Sequence, residues 1–348
     1  MKSTVIVGFS GGVDSFFTAY LLKKEGYEVV PVYFKLFPSA DVDKVKEKAT
    51  QLNLKLTVID LSKQFKDIVI RTFVEYYKQG LTPNPCVLCN REIKIRYLEL
   101  IRKKTGASFI ATGHYAKCKY FSQWKSRLIE RGRDKKKEQS YFLSMVKRED
   151  IQHLLLPLGN FRKEEVITEV NRLGYAWEEK ESQDVCFIKS DYRQFLKHFL
   201  PPVPGSFVLP NGKILGKYEY PYSYTVGQRR GLNLPYKYPL YVLKILPEHR
   251  KIIVGSKDLL YKEKIFVKDI EWHVPPEFLK EHDNIFVQIR YRANPVNIEK
   301  IEYLKNGIYC VKLRPKVEAP APGQVCAFYH NNLLVGGGEI TELQGVEG

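Results

Sequence analysis

Ser10-Gly11-Gly12-Val13-Asp14-Ser15 is the most informative segment of this 348-residue sequence. It follows an apolar run at residues 5–8 and precedes a helical pattern that begins at Ser15. Gly11 and Gly12 can take positive φ and let the backbone approach a ligand closely, which a side chain there would prevent. A strand that turns through two glycines into a helix surrounds an anion with backbone N–H groups, so the segment predicts a nucleotide phosphate site.

The neighbouring side chains extend this prediction. Ser10 and Ser15 add hydroxyl donors, Asp14 is a candidate ligand for the Mg²⁺ ion that accompanies phosphates, and Gly26 fits the end of the helix. An isolated Gly-Gly pair would indicate an ordinary turn, but the strand, loop and helix together favour a nucleotide site. The sequence lacks both the Gly-Lys-Ser/Thr ending of a P-loop and the third glycine of the dinucleotide fingerprint. SGGVDS instead resembles the loop of the PP-loop ATP pyrophosphatases, which cleave ATP to AMP and pyrophosphate while adenylating a substrate.

The charge of the chain predicts a large anionic partner. The formal net charge is +17, and nine Lys or Arg residues lie between residues 117 and 137, opposed only by Glu130 and Asp134. Four aromatic residues are interleaved with this run or lie beside it, namely Tyr115, Tyr120, Phe121 and Trp124. Most charge runs are solvated surfaces, but this combination favours nucleic acid over that alternative and over a small acidic substrate.

Composition also indicates the compartment. No apolar run reaches membrane-spanning length, and residues 1–8 do not resemble a secretory signal, so we expect a cytoplasmic protein without a membrane partner. Six cysteines in a chain of this length do not form a disulfide framework. They are therefore expected to be buried, metal-binding or catalytic.

The first 200 residues predict an α/β domain, a parallel sheet with helices on both faces. Strands are expected at residues 5–8, 28–34, 54–60 and 109–112, with helices at 15–25, 41–52, 63–79 and 90–105. Ligands bind beyond the carboxyl ends of such strands, where the SGGVDS loop and the Gly113-His114 turn should lie. A Pro-rich segment at residues 201–205 marks a boundary, and short alternating strands after it predict small β modules.

The second informative segment is TPNPCVLCN at residues 82–90. Its two prolines favour an extended approach, and we expect a helix to begin at Cys89-Asn90. A thiol at a helix N-terminus has a lowered pKa, so Cys89 is predicted to be a reactive nucleophile. Cys186 follows the polar residues 182–184, whereas Cys118, Cys310 and Cys326 are expected to be buried apolar residues. A zinc site is disfavoured, because the CxxC pair has no second pair at the required spacing.

A set of motifs in a fixed order resembles one family, the bacterial tRNA 2-thiouridylases, also called the MnmA family of tRNA-uridine 2-sulfurtransferases. The motifs are GFSGGVDS at 8–15, TPNPCVLCNREIK at 82–94, ATGHYA at 111–116, KEQSYFL at 137–143, SQDVCFI at 182–188, YTVGQRRGL at 224–232 and APGQ at 321–324. They span nearly the whole chain, which makes the set far more specific than any one member. The resemblance implies a PP-loop catalytic domain at 1–200, a central β-rich domain at 201–265 and a C-terminal β-barrel that contacts tRNA at 266–348.

The resemblance also implies roles for individual residues. Cys89 matches the catalytic nucleophile, and Cys186 matches the cysteine that carries a persulfide. The residues implied to bind ATP are Gly8, Phe9, Ser10, Gly11, Gly12, Val13, Asp14, Ser15, Phe34 and Gly113. Those implied to surround the target base are Asn84, Pro85 and Cys86. Further implied tRNA contacts are His114, Lys137, Glu138, Gln139, Arg290, Tyr291 and Gln324.

Two positions depart from the family pattern. Cys86 stands where many members have aspartate, so a general acid or base cannot be assumed there, and Glu138 replaces another usual aspartate. Cys86, Cys89 and Cys186 could alternatively hold a [4Fe-4S] cluster, as in related tRNA thiolases. The persulfide mechanism is the favoured interpretation.

The expected function is therefore ATP- and Mg²⁺-dependent 2-thiolation of the wobble uridine, U34, in the anticodon of tRNA. A cysteine desulfurase or sulfur-relay protein would supply the sulfur. Two alternatives stay open from the residues alone. One is a PP-loop amidotransferase or synthetase for a small molecule, and the other is a non-catalytic RNA-binding protein with a relic nucleotide loop.

Overall fold

The computed structural model describes residues 2–175, 177, 185–188, 191–275, 278–282 and 284–343. The α-helices are α1 Val13–Lys24, α2 Val42–Gln51, α3 Ser62–Phe65, α4 Arg71–Lys78, α5 Pro85–Cys89, α6 Ile95–Thr105, α7 Arg148–Ile151, α8 Lys163–Arg172, α9 Tyr192–Lys197 and α10 Phe278–Glu281. Two π-helical turns, Lys66–Ile70 and Asn90–Lys94, join α3 to α4 and α5 to α6. No helix in the described part of the chain is both long and apolar enough to span a membrane.

A five-stranded parallel sheet forms the centre of the first part of the chain. Its order is β3-β2-β1-β4-β7. The strands are β1 Thr4–Gly8, β2 Glu28–Lys35, β3 Thr57–Asp60, β4 Phe109–Ala111 and β7 Leu154–Leu155. Val5 and Val7 belong to the apolar core on one face, and Ile6 belongs to the core on the other. β1 is therefore buried on both faces, which explains why it is apolar along its whole length. The predicted α/β architecture is confirmed.

The helix that carries the cysteines begins earlier than the sequence predicted. Asn84 is the N-cap of α5, where its side-chain oxygen accepts a hydrogen bond from the Val87 N–H at 3.2 Å. Pro85 occupies the first helical position, which its fixed φ favours. The helix continues through the π-turn into α6, so Cys89 lies more than one turn inside it and Cys86 lies in its first turn.

The rest of the chain is built mainly from antiparallel strands. A four-stranded sheet has the order β10-β11-β8-β9, with only β8 and β11 parallel. Its strands are β8 Gly205–Val208, β9 Ile214–Tyr218, β10 Tyr241–Leu246 and β11 Lys251–Gly255. Six strands then close into a barrel through the pairing of its first and last strands. They are β12 Tyr261–Trp272, β13 Ile285–Gln288, β14 Val296–Tyr303, β15 Ile308–Glu318, β16 Val325–His330 and β17 Leu333–Thr341.

A hairpin from the first part of the chain joins the barrel sheet. It consists of β5 Ala116–Phe121 and β6 Ser126–Arg131, and β6 pairs with β17 through Glu130 and Leu333. The basic run at residues 117–137 lies on and after this hairpin, and three of its cations already have acidic partners. The pairs are Lys119–Glu130, Arg131–Glu138 and Arg133–Glu165. The run therefore ties parts of the protein together as well as supplying surface charge.

Candidate active site

The SGGVDS loop connects β1 to α1 as predicted, but only one of its glycines has positive φ. Gly11 has φ +79°, and a Cβ there would lie 3.0 Å from the Val45 side chain. Gly12 is the N-cap of α1 with φ −80°, so it does not use the positive φ that glycine permits. The hydroxyl of Ser15 accepts from the Ser10 N–H at 3.1 Å and donates to the Gly12 carbonyl at 2.9 Å, which closes the loop.

Asp14 has two strong partners that the sequence did not reveal. The ammonium of Lys163 donates to both carboxylate oxygens at 2.7 and 2.8 Å, and the Tyr115 hydroxyl donates to Oδ1 at 2.6 Å. Lys163 begins α8, 149 residues away in sequence, so no local pattern could identify it. Asp14 is therefore paired with Lys163 and Tyr115 in the protein without nucleotide, and its expected role as a Mg²⁺ ligand stays a prediction.

A cavity of about 250 Å³ opens beyond the carboxyl ends of β1, β2 and β4. Seven of the residues predicted to bind ATP line it: Gly8, Phe9, Ser10, Asp14, Ser15, Phe34 and Gly113. His114 and Gln139, predicted as tRNA contacts, line the same cavity. Gly11, Gly12 and Val13 shape the loop without lining the cavity. At Gly113 a Cβ would lie 2.9 Å from the Asp14 carbonyl carbon, so glycine permits the β4 turn to approach the loop.

The cysteines differ sharply in environment. Cys89 is buried, and burial raises its pKa to about 11, opposed by the nearby Lys94 ammonium. The predicted lowering of its pKa by a helix end is wrong, because Cys89 lies inside the helix and in an apolar cluster with Phe65 and Ile93. Cys186 is exposed; surrounding protein raises its pKa and Lys94 lowers it.

The three thiols lie close enough to influence one another. The pKa of Cys89 is raised further by the charges of Cys186 and Cys86, and all three sulfurs act on Lys94. Cys86 and Cys89 share one helix, whereas Cys186 comes from a segment almost 100 residues later. The structure therefore brings together the three cysteines that the sequence singled out. Of the SQDVCFI motif only residues 185–188 are described, and Ser182, Gln183 and Asp184 lie outside the described residues.

His114 is neutral at physiological pH. Burial, reinforced by the charge of Lys94, lowers its pKa to about 3. Its Nδ1 lies 2.8 Å from the Thr112 hydroxyl. The imidazole can therefore exchange hydrogen bonds in the cavity, but it supplies no positive charge to an anion there.

The described side chains around the cavity do not form a donor set for a single metal ion. Among the residues that the structure describes, which include all three of these cysteines, no three His, Cys, Asp or Glu side chains form a group that could hold a metal ion. A cluster of four irons holds its thiolates farther apart than a single ion does, so the [4Fe-4S] alternative on Cys86, Cys89 and Cys186 stays a prediction. Their arrangement is that of interacting thiols.

A second cavity of about 200 Å³ is lined in part by residues of α5. Asn84 and Pro85, implied to surround the target base, line it together with Tyr76, Arg91 and Glu339. The Tyr76 hydroxyl donates to Glu339 at 2.5 Å, linking α4 to the barrel. No described residue lines both cavities.

Gln324 joins the barrel to the start of the cysteine segment. Its side-chain amide donates to the carbonyl oxygens of Thr82 and Pro83, each at 3.2 Å. The Thr82 N–H donates in turn to the Pro322 carbonyl at 2.8 Å. Gln324, implied as a tRNA contact, thus holds the segment that leads into α5.

The remaining implied tRNA contacts come from two distant parts of the chain that meet in space. The Tyr291 ring packs on Phe142 with centroids 4.5 Å apart, and Arg292 donates to the Lys136 carbonyl at 3.3 Å. Residues 137–139 therefore lie beside the exposed Arg290 and its neighbour Tyr291. Glu138 is committed internally, because it accepts from Arg131 at 3.1 Å and from the Ser140 N–H at 2.6 Å.

Comparison with known proteins agrees with this arrangement along the whole chain. Residues 3–190 match the family model described as tRNA methyl transferase HUP domain. Residues 193–256 match the tRNA methyl transferase PRC-barrel domain, and residues 262–340 match the aminomethyltransferase beta-barrel domain.

Full-length relatives are described by a single activity. A protein of Aquifex aeolicus described as tRNA-specific 2-thiouridylase MnmA is 40% identical over 97% of this chain and 99% of its own length. A Clostridium tetani protein described as tRNA-specific 2-thiouridylase MnmA 1 is 36% identical over 99% of this chain and 98% of its own length. With the phosphate loop, the cysteines and the barrel all in place, this chain belongs to the MnmA family of tRNA-specific 2-thiouridylases.

Proposed function

We propose that the protein catalyses ATP-dependent 2-thiolation of the wobble uridine, U34, of tRNA. The observation that carries this proposal is the gathering of three interacting thiols beside the cavity formed by the SGGVDS loop. Methyl transfer, named in the family-model descriptions, would leave both the loop and the thiols without a role. A PP-loop enzyme for a small molecule would use the loop but leave the thiols idle.

The loop and cavity serve the activation step. The C2 oxygen of uridine is a poor leaving group, so it first attacks the α-phosphorus of ATP, and pyrophosphate departs toward the N–H groups at the start of α1. Mg²⁺ would be held chiefly by the phosphates, because the one carboxylate among the described cavity residues, Asp14, is paired with Lys163. The adenylated C2 is then open to attack by sulfur.

The cysteines serve the transfer step. Cys186 is exposed, so a sulfur-donating protein can load it as a persulfide. The terminal sulfur adds to C2 and AMP departs, which leaves the base joined to Cys186 through two sulfurs. Cys89, as its thiolate, attacks the Cys186 sulfur, the electron pair of the broken S–S bond stays on the 2-thiouridine sulfur, and a Cys89–Cys186 disulfide remains for an external thiol to reduce. In a variant of this scheme, Cys89 releases hydrogen sulfide inside the site before the attack.

The raised pKa of Cys89 supports a reaction order in which Cys89 acts after Cys186. At neutral pH it is a buried thiol and does not compete with Cys186 for the incoming sulfur. Cys86 lies near Cys89 and the Lys94 ammonium, and it replaces the aspartate that is usual in the family. No general acid is therefore assigned to this position. We further propose cytoplasmic action on the anticodon region of tRNA, with residues 1–200, 201–265 and 266–348 as the three domains.

The experiment is nucleoside mass spectrometry of unmodified tRNA incubated with ATP, Mg²⁺ and a persulfide donor. Cys186→Ser and Cys89→Ser should each reduce 2-thiouridine by at least about 100-fold, because each removes a covalent step. Cys310→Ser, on a barrel strand, is the matched control and should retain activity. Undiminished product from Cys186→Ser would contradict the proposal, as would product that forms only after reconstitution of an iron–sulfur cluster.

A further inference from the structure

Lys94 lines the nucleotide cavity at the end of the π-turn Asn90–Lys94. In this turn the Ile95 N–H donates to the Asn90 carbonyl, five residues back instead of the usual four. The wider turn brings residues five apart toward the same side of the helix, which places Lys94 on the side of Cys89. A regular α-helix would align residues three and four apart and turn Lys94 away from that side.

Lys94 supplies positive charge that no other described residue lining the cavity provides. Among the described residues that line the cavity, the other basic side chain is His114, which is neutral. Lys163 is committed to both oxygens of Asp14. No salt bridge within the described part of the chain involves Lys94, so its ammonium is available to an anion in the cavity. A nucleoside triphosphate placed there would gain charge-assisted hydrogen bonds from this cation.

The same ammonium faces the thiols. Lys94 is exposed to solvent; the protein around it would lower the pKa of its ammonium, but the charges of Cys89, Cys86 and Cys186 outweigh that effect and raise it. In return, Lys94 lowers the pKa of both Cys89 and Cys186. One side chain is thus in reach of the phosphate site and of every thiol assigned to sulfur transfer.

We propose that Lys94 is a catalytic residue shared by both half-reactions: its ammonium binds the phosphate of the nucleotide during adenylation and stabilises anionic sulfur during transfer. The inference deepens the proposed function and rests on it for the second role. It has a specific consequence, because one ammonium cannot neutralise two anions fully. A bound nucleotide phosphate draws charge away from the thiols, so nucleotide binding and thiol ionisation oppose each other, and this coupling is reciprocal.

The first test measures how pH controls alkylation of Cys89 and Cys186 by iodoacetamide, followed by peptide mass spectrometry and without tRNA. Lys94→Met should slow alkylation of both thiols about tenfold near pH 8, whereas Lys94→Arg should retain most of the wild-type rate. Lys104→Met removes the same charge from the exposed end of α6 and is the matched control. A wild-type alkylation profile in Lys94→Met would overturn the inference.

The second test measures the coupling itself. AMP should slow alkylation of Cys186 in the wild-type protein and have no effect in Lys94→Met, and the wild-type half of this test needs no variant to fold. Titration with ATP should show affinity about tenfold weaker for Lys94→Met than for Lys104→Met. Absence of an AMP effect in the wild type, or equal ATP affinity in the two variants, would contradict the shared role. Failure of tRNA thiolation with these results intact would count against the proposed function alone.

Discussion

The phosphate loop depends on a charge pair that joins distant residues. Asp14 lies in the first turn of α1, where a carboxylate favours the helix but would repel an incoming phosphate. Lys163 is largely buried and neutralises it through two hydrogen bonds. The loop therefore presents N–H groups to the nucleotide without a net negative charge beside them.

This pair predicts the behaviour of Lys163→Met. The variant leaves the Asp14 carboxylate uncompensated next to the phosphates, so the KM for ATP should rise about tenfold, equivalent to about 1.4 kcal/mol. The double variant Asp14→Asn/Lys163→Met removes both charges and should recover most of the affinity, which a double-mutant cycle measures. Equal ATP affinity in Lys163→Met and the wild type would show that the pair does not serve the loop.

The environments of Cys186 and Cys89 predict that an alkylating reagent modifies Cys186 first. With its pKa near 11, Cys89 carries very little thiolate at pH 8, whereas Cys186 is exposed and less perturbed. Limiting iodoacetamide at pH 8 should label Cys186 at least about tenfold faster than Cys89. The Cys89 rate should then rise with pH up to about 11. Comparable labelling of the two cysteines at pH 8 would contradict the assigned environments.

At the scale of elements, α5 and the turns around it show what the sequence could and could not predict. The apolar runs predicted the parallel sheet correctly, and the SGGVDS loop lies at the predicted edge of the sheet beside a cavity, because buried parallel strands and strand–loop–helix turns are local patterns. The predicted helix start at Cys89-Asn90 lies several residues too late, because Asn84 caps α5 and Pro85 takes its first position. The π-turn that orients Lys94 and the pairing of Asp14 with Lys163 depend on tertiary contacts that no local pattern contains.

Gln324 links two elements, and its role can be separated from direct RNA contact. Gln324→Ala removes two hydrogen bonds to residues 82 and 83, which should cost about 1 kcal/mol locally. Amide hydrogen exchange at residues 82–88 in the protein without tRNA should become about fivefold faster. Gln123→Ala, an exposed change on the β5–β6 connection, is the control. Unchanged exchange in Gln324→Ala would assign the residue to RNA contact alone.

At the scale of the whole molecule, the barrel and the α/β part are fastened to each other at several points. The β5–β6 hairpin extends the barrel sheet, Tyr76 pairs with Glu339, and Gln324 holds residues 82 and 83. His273 adds a buried contact, with its Nε2 2.8 Å from the Val146 carbonyl. The cysteine segment is thus held between two parts of the protein, which makes its geometry a property of the entire chain.

His273 predicts how stability depends on pH. Burial lowers its pKa to about 4, below the ordinary value of 6.5, so the folded protein keeps it neutral while the unfolded chain takes up a proton. The folded protein keeps the full stability associated with neutral His273 above about pH 6.5. As the pH falls toward 4, protonation of the unfolded chain lowers the free energy of unfolding by about 3 kcal/mol. Thermal melts from pH 7.5 to 4 should show a shallower decline for His273→Gln. His249→Gln, at an exposed position, should follow the wild type.

Sulfur tracing tests the central claim most directly. The protein is purified anaerobically without iron, its Cys186 is loaded with a ³⁴S persulfide, and it is mixed once with ATP, Mg²⁺ and unmodified tRNA. Nucleoside mass spectrometry should find ³⁴S in 2-thiouridine at U34, with AMP formed in equal amount and a Cys89–Cys186 disulfide left on the protein. Unlabelled 2-thiouridine, or AMP released without any thiolated nucleoside, would contradict transfer of sulfur from Cys186 to the activated base.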